Sequence, residues 1–160
     1  MTITVGAKVP SATIWNKDAE GMNKIDFAEF CAGKTVALFA VPGAFTPTCQ
    51  DNHFPSFKKN VQSFKDKGVD TIACLSVNDA FVMRAWGQKL DAEGEILMLA
   101  DGNGDLAKAL GLTLDGTGFG LGLRSARFSM LIKDGTVTAL NVDEAGGFEV
   151  SDGDTLLKAL

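Results

Sequence analysis

The sequence predicts an α/β fold, in which short buried strands alternate with helices, and two observations carry that prediction. The segments 35–41 and 69–77 are short, β-rich and apolar on both faces, which is typical of central parallel strands covered on each side. Near the C-terminus, Asp134 and Gly135 separate two strand-like runs within 127–142, which is a strong hairpin signal. Parallel strands followed by an antiparallel hairpin predict a central mixed sheet with helices on both faces.

A helix is predicted between the two central strands. Its apolar residues recur at helical spacing, and Gly68 follows them as a stop signal. Pro55 lies inside the pattern, so we expect a kink there, because its ring removes a backbone donor and crowds the preceding turn. The apolar residues of this pattern are Phe54, Phe57, Val61 and Phe64.

The remaining elements continue the alternation. A second helix is predicted to open at Asn78 or Asp79, either of which can cap a helix. The segment 95–100 then predicts a strand, 104–111 a short helix ending on a glycine, and 152–160 a closing helix.

Length and composition favour one domain over residues 1–160, because a chain of 160 residues with 46% hydrophobic content can bury one sizeable core. The formal net charge of -5, with lysine and arginine scattered, argues against nucleic acid as a partner. No apolar run is long enough to span a bilayer. The N-terminal residues show no positively charged start followed by a long apolar segment, so we do not expect an export signal. The odd cysteine count of 3 fits a reducing compartment, so we expect a soluble, cytoplasmic protein without a membrane partner.

No metal or cofactor is expected. There is no CxxC pair and His53 is the single histidine, so a cysteine and histidine metal site would lack ligands. The segment 101–112 resembles a calcium loop only in part, because Leu106 and Leu112 stand where the glycine and the final glutamate belong. The glycine-rich segment 116–122 is not followed by the lysine of a phosphate-binding loop, and we interpret it as a surface loop.

Cys49 is the main candidate for chemistry, because the predicted elements place it in the first turn of the helix that follows a central strand. Helix N-termini carry partial positive charge and unpaired N–H groups, which stabilise a thiolate, the form that attacks electrophiles. In open parallel sheets, ligands also bind beyond the carboxyl ends of the strands, which is where this turn is predicted to lie. The alternative is a small core hydrophobe, as buried cysteines usually are. Thr46, Pro42 and Gly43 are placed to serve this thiol or merely to form the turn.

The segment PGAFTPTC, residues 42–49, closely resembles the Pro-x-x-x-Thr-x-x-Cys signature of the peroxiredoxins, in the form typical of the type II or peroxiredoxin 5 group. The resemblance extends through NHFPSF, ACLSVND, FVMRAWG, LADGNG and RFSMLIKDGTVTALNV, and so covers nearly the whole chain from about residue 3. It implies a thioredoxin-like fold. It also implies a thiol-dependent peroxidase that reduces hydrogen peroxide and alkyl hydroperoxides and serves redox homeostasis.

The resemblance assigns roles to individual residues. Cys49 would attack the peroxide and become a sulfenic acid, Thr46 would hydrogen-bond the reacting oxygen, and Pro42 would shield the sulfur from water. Arg127 matches the active-site arginine, although without the resemblance a surface ion pair would be the better interpretation. His53 is expected either to line the pocket or to pack behind it, and Arg84 and Arg124 are expected on the surface. Gly43 and Thr48 complete the predicted substrate pocket.

The recycling step remains open at this point. Some relatives carry a resolving cysteine near the C-terminus, but the corresponding segment DEAGGFEVSDGD has none. Cys74 matches a second cysteine of many members, yet it lies in a predicted buried strand, where an inert thiol is the simpler interpretation. Cys31 is a weaker candidate still. We therefore expect an external thiol, either glutathione with glutaredoxin or thioredoxin, to reduce the sulfenic acid.

Two other functions compete with this hypothesis. A protein-disulfide oxidoreductase would normally need a CxxC pair, which is missing. A redox-regulated binding protein would use Cys49 as a sensor and the glycine loop as its contact surface, and only repeated peroxide turnover separates it from a peroxidase. The family also implies a homodimer, for which the sequence offers the apolar candidates Phe45, Pro47, Phe81 and Phe119.

Overall fold

A computed structural model describes residues 1–160 and contains a seven-stranded mixed sheet. Three parallel strands form its centre in the order β5-β4-β3, and antiparallel strands flank them, β1 and β2 on one side and β8 and β9 on the other. The seven strands are β1 Thr13–Asp18, β2 Gly21–Asp26, β3 Thr35–Val41, β4 Thr71–Ser76, β5 Leu97–Ala100, β8 Phe128–Lys133 and β9 Thr136–Val142. A small second sheet pairs β6 Thr113–Asp115 with β7 Leu123–Ser125.

Helices cover both faces of the large sheet, as the sequence predicts. Side chains of β3 alternate strictly, so that Phe39 faces one apolar cluster while Leu38 faces the other. The first cluster includes residues of α2, α3, α4 and α6, and the second includes residues of α1 and α5. The helices are α1 Phe27–Cys31, α2 Phe54–Lys58, α3 Val61–Asp66, α4 Ala80–Lys89, α5 Asp105–Leu110 and α6 Gly153–Leu157. None of them is long and apolar enough to cross a membrane.

Several local predictions are confirmed. Asp79 caps α4, since its carboxylate accepts a hydrogen bond from the backbone N–H of Val82 at 2.8 Å. Gly111 ends α5 in the left-handed region at φ 70°, and Asp134 and Gly135 turn the β8–β9 hairpin with φ values of 47° and 77°. These features depend on neighbouring residues, which is why sequence patterns reveal them.

The helix predicted after Cys49 is broken into three pieces, which the sequence interpretation missed. A π-helical turn spans Cys49–His53, and α2 and α3 then follow with a break at residues 59–60. Pro55 lies at the start of α2, so the expected irregularity is present as the π turn that precedes it. The second break has its own cause, because the Asn60 side chain donates to the Ser56 carbonyl at 2.8 Å and competes with the helical backbone.

The N-terminal hairpin β1–β2, the helix α1 and the small sheet β6–β7 were also not predicted. Ile14 is the one fully buried residue of β1, so this strand lacks the apolar pattern of a core strand. The glycine-rich segment lies between β6 and β7 and includes a 3₁₀ turn over Thr117–Phe119. The Phe119 side chain there is 88% exposed.

Candidate active site

Cys49 lies in the first turn of helical structure beyond the carboxyl end of β3, as predicted. The turn starts at Pro47, and the backbone N–H of Gln50 donates to the Thr46 carbonyl at 2.9 Å. Proline suits the first helical position because its missing N–H would have no partner there. Cys49 is 1% exposed. Its thiol is therefore nearly buried at the positive end of a helical segment.

A π turn begins at Cys49 and is joined to α4 by a hydrogen bond. The backbone N–H of Phe54 donates to the Cys49 carbonyl, five residues earlier, which defines the turn. Gln50 in the same turn accepts a hydrogen bond at 3.3 Å from the indole N–H of Trp86, a buried residue of α4. The turn brings Cys49 and His53 to the same side, where both contact one arginine.

That arginine is Arg127, which stands directly before β8. Its Nη2 donates to the Cys49 Sγ at 3.1 Å, and its Nη1 lies 3.0 Å from the Nδ1 of His53. Arg127 is only 8% exposed and forms no ion pair with a carboxylate. The alternative interpretation of Arg127, a surface ion pair, is therefore excluded. Instead, a buried cation directly faces the candidate nucleophile.

His53 is a neutral imidazole with a defined tautomer. Its Nε2 lies 2.9 Å from the carbonyl oxygen of Ser151, which only accepts, while Arg127 only donates to Nδ1. The proton must therefore be on Nε2. Burial, helped by the Arg127 cation, lowers the pKa of His53 to about 3. Of the two alternatives that the sequence left open, the structure matches packing behind the site, since His53 is fully buried and contacts Arg127.

Thr46 and Gly43 form the loop in front of the thiol. The Thr46 hydroxyl donates to the Gly43 carbonyl at 2.6 Å, so its lone pairs remain available to accept a hydrogen bond from a ligand. A Cβ at Gly43 would lie 3.1 Å from the Thr46 side chain and 3.2 Å from the Nη1 of Arg124. This position therefore favours glycine because the space is small. Thr48, also predicted to line the pocket, is half-buried and its hydroxyl has no hydrogen-bond partner in the protein.

Arg124 is a correction to the sequence interpretation, which expected it on the surface. Its Nη1 donates to the Pro42 carbonyl at 3.3 Å and its Nε donates to the Leu121 carbonyl at 2.9 Å. Arg124 thereby joins the loop before Cys49 to the glycine-rich segment. No local signal could have revealed it, since Arg124 and Pro42 are 82 positions apart.

Asn78 was also missed as a residue that supports the site. Its side-chain oxygen accepts from the Ala44 backbone N–H at 3.0 Å and from the Ser76 hydroxyl at 2.6 Å. Asn78 therefore ties the loop before Cys49 to the end of β4. A short polar residue after a buried strand was visible in the sequence, but it was interpreted only as a possible helix cap.

The three cysteines are free and lie in different surroundings. Cys74 is fully buried in β4, and burial, with a smaller effect of Cys49, raises the pKa of its thiol well above the usual value. Cys31 lies on the opposite face of the sheet, where burial raises the pKa of its thiol to about 12. Cys49 is thus the cysteine whose sulfur receives a hydrogen bond from a cation. No group of three histidine, cysteine or acidic side chains is arranged to hold a metal ion.

A cleft of about 770 Å³ opens beside the site. Pro42 and Arg127 form part of its wall, and apolar side chains form much of the rest. These apolar residues include Leu114, Phe119, Leu121 and Val142.

Comparison with known proteins identifies the family. The redoxin family model matches residues 4–157 of the chain. Peroxiredoxin-2B of Arabidopsis thaliana is 46% identical over 159 residues, covering 99% of this chain and 98% of the relative. The chain belongs to the peroxiredoxins. The chloroplastic peroxiredoxin-2E-2 of Oryza sativa subsp. japonica is 48% identical over 164 residues, covering 99% of this chain and 73% of that protein.

Solved peroxiredoxin structures share the fold. Reduced Prx3 of Vibrio vulnificus in complex with hydrogen peroxide is 52% identical, with a TM-score of 0.95 and 99% of each chain covered. Peroxiredoxin 5 of Alvinella pompejana is 34% identical, with a TM-score of 0.87 over 98% of this chain and 97% of that one. The thioredoxin-like fold predicted from the resemblance is confirmed. This peroxiredoxin is an enzyme, a thiol-dependent peroxidase.

Proposed function

We propose that Cys49 is the residue of this peroxiredoxin that reduces the peroxide. Its thiolate attacks the nearer peroxide oxygen, so that an S–O bond forms while the O–O bond breaks. The attacked oxygen keeps its proton, so the sulfur, oxidised by two electrons, becomes a sulfenic acid. The departing oxygen leaves as water or an alcohol after taking up from solvent one proton, equivalent to the one that the thiol released on ionising. The observation that carries this proposal is the 3.1 Å hydrogen bond from the Arg127 guanidinium to the Cys49 sulfur.

Arg127, Thr46 and Pro42 are proposed to assist the attack. In the transition state negative charge spreads over the sulfur and both oxygens, and a guanidinium fixed in advance stabilises it without reorganising. The free lone pairs of Thr46 suit it to accept a hydrogen bond from the peroxide O–H and so to orient the substrate. Pro42, half-buried in the wall of the cleft, limits access of water to the sulfur.

Gly43, Thr48 and His53 are proposed to complete the substrate pocket, in different ways. Gly43 leaves room for the Thr46 side chain, and the half-buried Thr48 lies one residue before the nucleophile. His53 contributes indirectly, through its contact with the arginine. Hydrogen peroxide and alkyl hydroperoxides are the proposed substrates, and the apolar side of the cleft supports the second class.

An external thiol is proposed to recycle the sulfenic acid, either glutathione with glutaredoxin or thioredoxin. The fully buried Cys74 supports this, because a thiol held neutral inside a central strand is a poor attacking group.

We further propose that residues 1–160 act as one domain, that the enzyme forms a homodimer, and that it works in the cytoplasm. The large sheet supports the first point, since it takes strands from Thr13 to Val142. Exposed aromatic side chains, Phe45, Phe81 and Phe119, support the second, because apolar exposure of this kind marks contact surfaces. The three unpaired cysteines support a reducing compartment. A monomer in sedimentation at micromolar concentration would contradict the dimer.

The test is the intact mass of wild type and of Cys49→Ser after one equivalent of hydrogen peroxide, with and without a reagent that traps sulfenic acids. We expect one trapped oxygen on wild type and none on the variant. Loss of two hydrogens from wild type would instead indicate an internal disulfide and would contradict the external reductant. A mass change independent of Cys49 would overturn the proposed role of this residue.

A further inference from the structure

Asp143 collects hydrogen bonds at the end of β9. Its carboxylate accepts from the backbone N–H groups of Glu149 at 2.8 Å, Val150 at 2.9 Å and Ser151 at 3.1 Å, and also from the Ser151 hydroxyl. We call these four bonds the Asp143 clasp. They close the segment 144–150, which is largely exposed, onto a side chain that is itself only 8% exposed.

Both ends of this closed segment connect to the active site. At one end, the backbone N–H of Asp143 donates to the carbonyl of Arg127 at 3.0 Å. At the other, the Ser151 carbonyl receives the Nε2–H of His53 at 2.9 Å. Within the segment, the Phe148 ring packs against the His53 ring, with 5.0 Å between centroids, and lies 5.8 Å from the Arg127 guanidinium carbon.

The direction of the His53 hydrogen bonds links the Asp143 clasp to the position of Arg127. Arg127 has no carboxylate partner, so the His53 Nδ1 lone pair accepts the hydrogen bond of its Nη1. That lone pair exists only while the ring proton is on Nε2, and the Ser151 carbonyl is the group that keeps it there. Without that carbonyl, the ring is free to turn or to change tautomer.

We propose that Asp143 is a positioning residue of the active site. Its clasp holds the Ser151 carbonyl, which fixes the imidazole of His53 in one tautomer and one orientation. The imidazole in turn aligns the Arg127 guanidinium on the Cys49 sulfur. The benefit of this alignment for peroxide reduction rests on the proposed function. The role of Asp143 in aligning Arg127 does not depend on that function.

The decisive variant is Asp143→Asn, which has the same shape. One oxygen still accepts hydrogen bonds, but an NH₂ group replaces the other. Either way the amide turns, this NH₂ faces backbone N–H donors, those of Glu149 and Val150 or that of Ser151. Ser151→Ala removes one of the four bonds of the clasp and keeps the carbonyl that His53 uses, so it should change the tautomer less than Asp143→Asn does. Asp18→Asn is the matched control, because Asp18 also accepts from two backbone N–H groups of a turn, at Glu20 and Gly21, away from the site.

His53 can be observed directly, because it is the single histidine of the chain. In wild type, ¹⁵N NMR should show one neutral tautomer with the proton on Nε2. In Asp143→Asn we expect mixed tautomers of His53, and Cys49 should be alkylated more slowly at neutral pH than in wild type. The rate constant with hydrogen peroxide should fall about tenfold, as expected for a misaligned preorganised donor. Asp18→Asn should keep the wild-type tautomer and alkylation rate.

If Asp143→Asn kept the wild-type tautomer of His53 and the wild-type rate of Cys49 alkylation, the proposal would be overturned, even if that variant were less stable. The same loss of tautomer in Asp18→Asn would also overturn it, because the effect would then be general destabilisation. If wild type failed to reduce peroxide, the proposed function would fall, while the NMR and alkylation results would still decide the role of Asp143.

Discussion

Cys49 and Cys74 belong to the same apolar cluster on one face of the sheet, are buried to about the same degree, and differ in what lies beside the sulfur. Cys49 lies at the start of a helical segment and receives a hydrogen bond from the Arg127 guanidinium at 3.1 Å. Cys74 lies inside a central parallel strand, where burial raises the pKa of its thiol well above the usual value.

The comparison shows that burial by itself does not make a cysteine reactive. A low-dielectric site opposes the thiolate unless fixed positive charge and donors compensate, and then the same site strengthens their effect. In this protein a cation contacts the sulfur of Cys49, while the strand around Cys74 supplies only packing. Substitution of Cys49 should therefore reduce the peroxidase activity, whereas substitution of Cys74 should reduce only the stability of the fold.

The largest effect is expected from Cys49→Ser, which should abolish peroxidase turnover because no thiolate remains to attack. Turnover is measured as peroxide consumption with glutaredoxin and glutathione, or with thioredoxin. Cys31→Ala, which removes a buried thiol on the opposite face, is the control and should keep wild-type activity. Peroxide turnover that survives in Cys49→Ser would contradict the proposed mechanism.

Arg127→Met should come next, because it removes the cation that makes the environment of Cys49 differ from that of Cys74. Loss of one preorganised donor costs roughly 10²–10³-fold in rate, and we expect a fall of that order in the second-order rate constant with peroxide. Arg127→Lys keeps the charge but not the two-pronged geometry, so it should rescue only part of the loss. Arg84→Met, away from the thiol, should have no effect. Equal rates for Arg127→Met and Arg84→Met would refute the role of Arg127.

Acid should lower the free energy of unfolding through His53, which belongs to the polar surroundings of Cys49. Its pKa is lowered from 6.5 to about 3 by burial and by Arg127, so the unfolded chain binds the proton first as pH falls. The stability that comes from the neutral ring is complete above pH 6.5 and is lost as pH falls toward about 3. Between about pH 7 and pH 5 this predicts a loss of roughly 2 kcal/mol in the free energy of unfolding.

The measurement is urea unfolding of wild type and His53→Gln at both pH values. The variant cannot bind the proton, so the difference between the two proteins isolates His53 from the carboxyl groups that also titrate. A pH dependence of the same size in His53→Gln would exclude the imidazole as its source.

Cys74→Ala should have the smallest effect, and the effect should fall on stability. Removing one buried heavy atom from a core costs about 1 kcal/mol, which denaturant unfolding can measure. Peroxide turnover with an external thiol should stay within about twofold of wild type, because core truncations that leave a site intact act on folding rather than chemistry. If the variant lost turnover with every reductant, Cys74 would be a resolving cysteine and the external-thiol proposal would be wrong.

The parts of the fold that the sequence predicted are those with a strong local pattern. The strands β3 and β4 are apolar on both faces, and the turn at Asp134 and Gly135 needs residues that tolerate positive φ. The hairpin β1–β2 was missed because it lies at a sheet edge and buries little. The break between α2 and α3 was missed because it depends on one side chain, Asn60, in competition with the backbone.

For this protein, the sequence by itself determined the α/β alternation and the location of Cys49 in a helical turn beyond a central strand. Both follow from contiguous residues, whose hydrogen bonds and packing are set within a few positions of one another. The family resemblance singled out Arg127, but only the tertiary structure brings its guanidinium to the thiol, since Arg127 is 78 positions from Cys49. The tertiary structure also decided the tautomer of His53, through a carbonyl 98 positions away. Contacts of that range depend on strand register and loop closure, which no local stretch of sequence encodes.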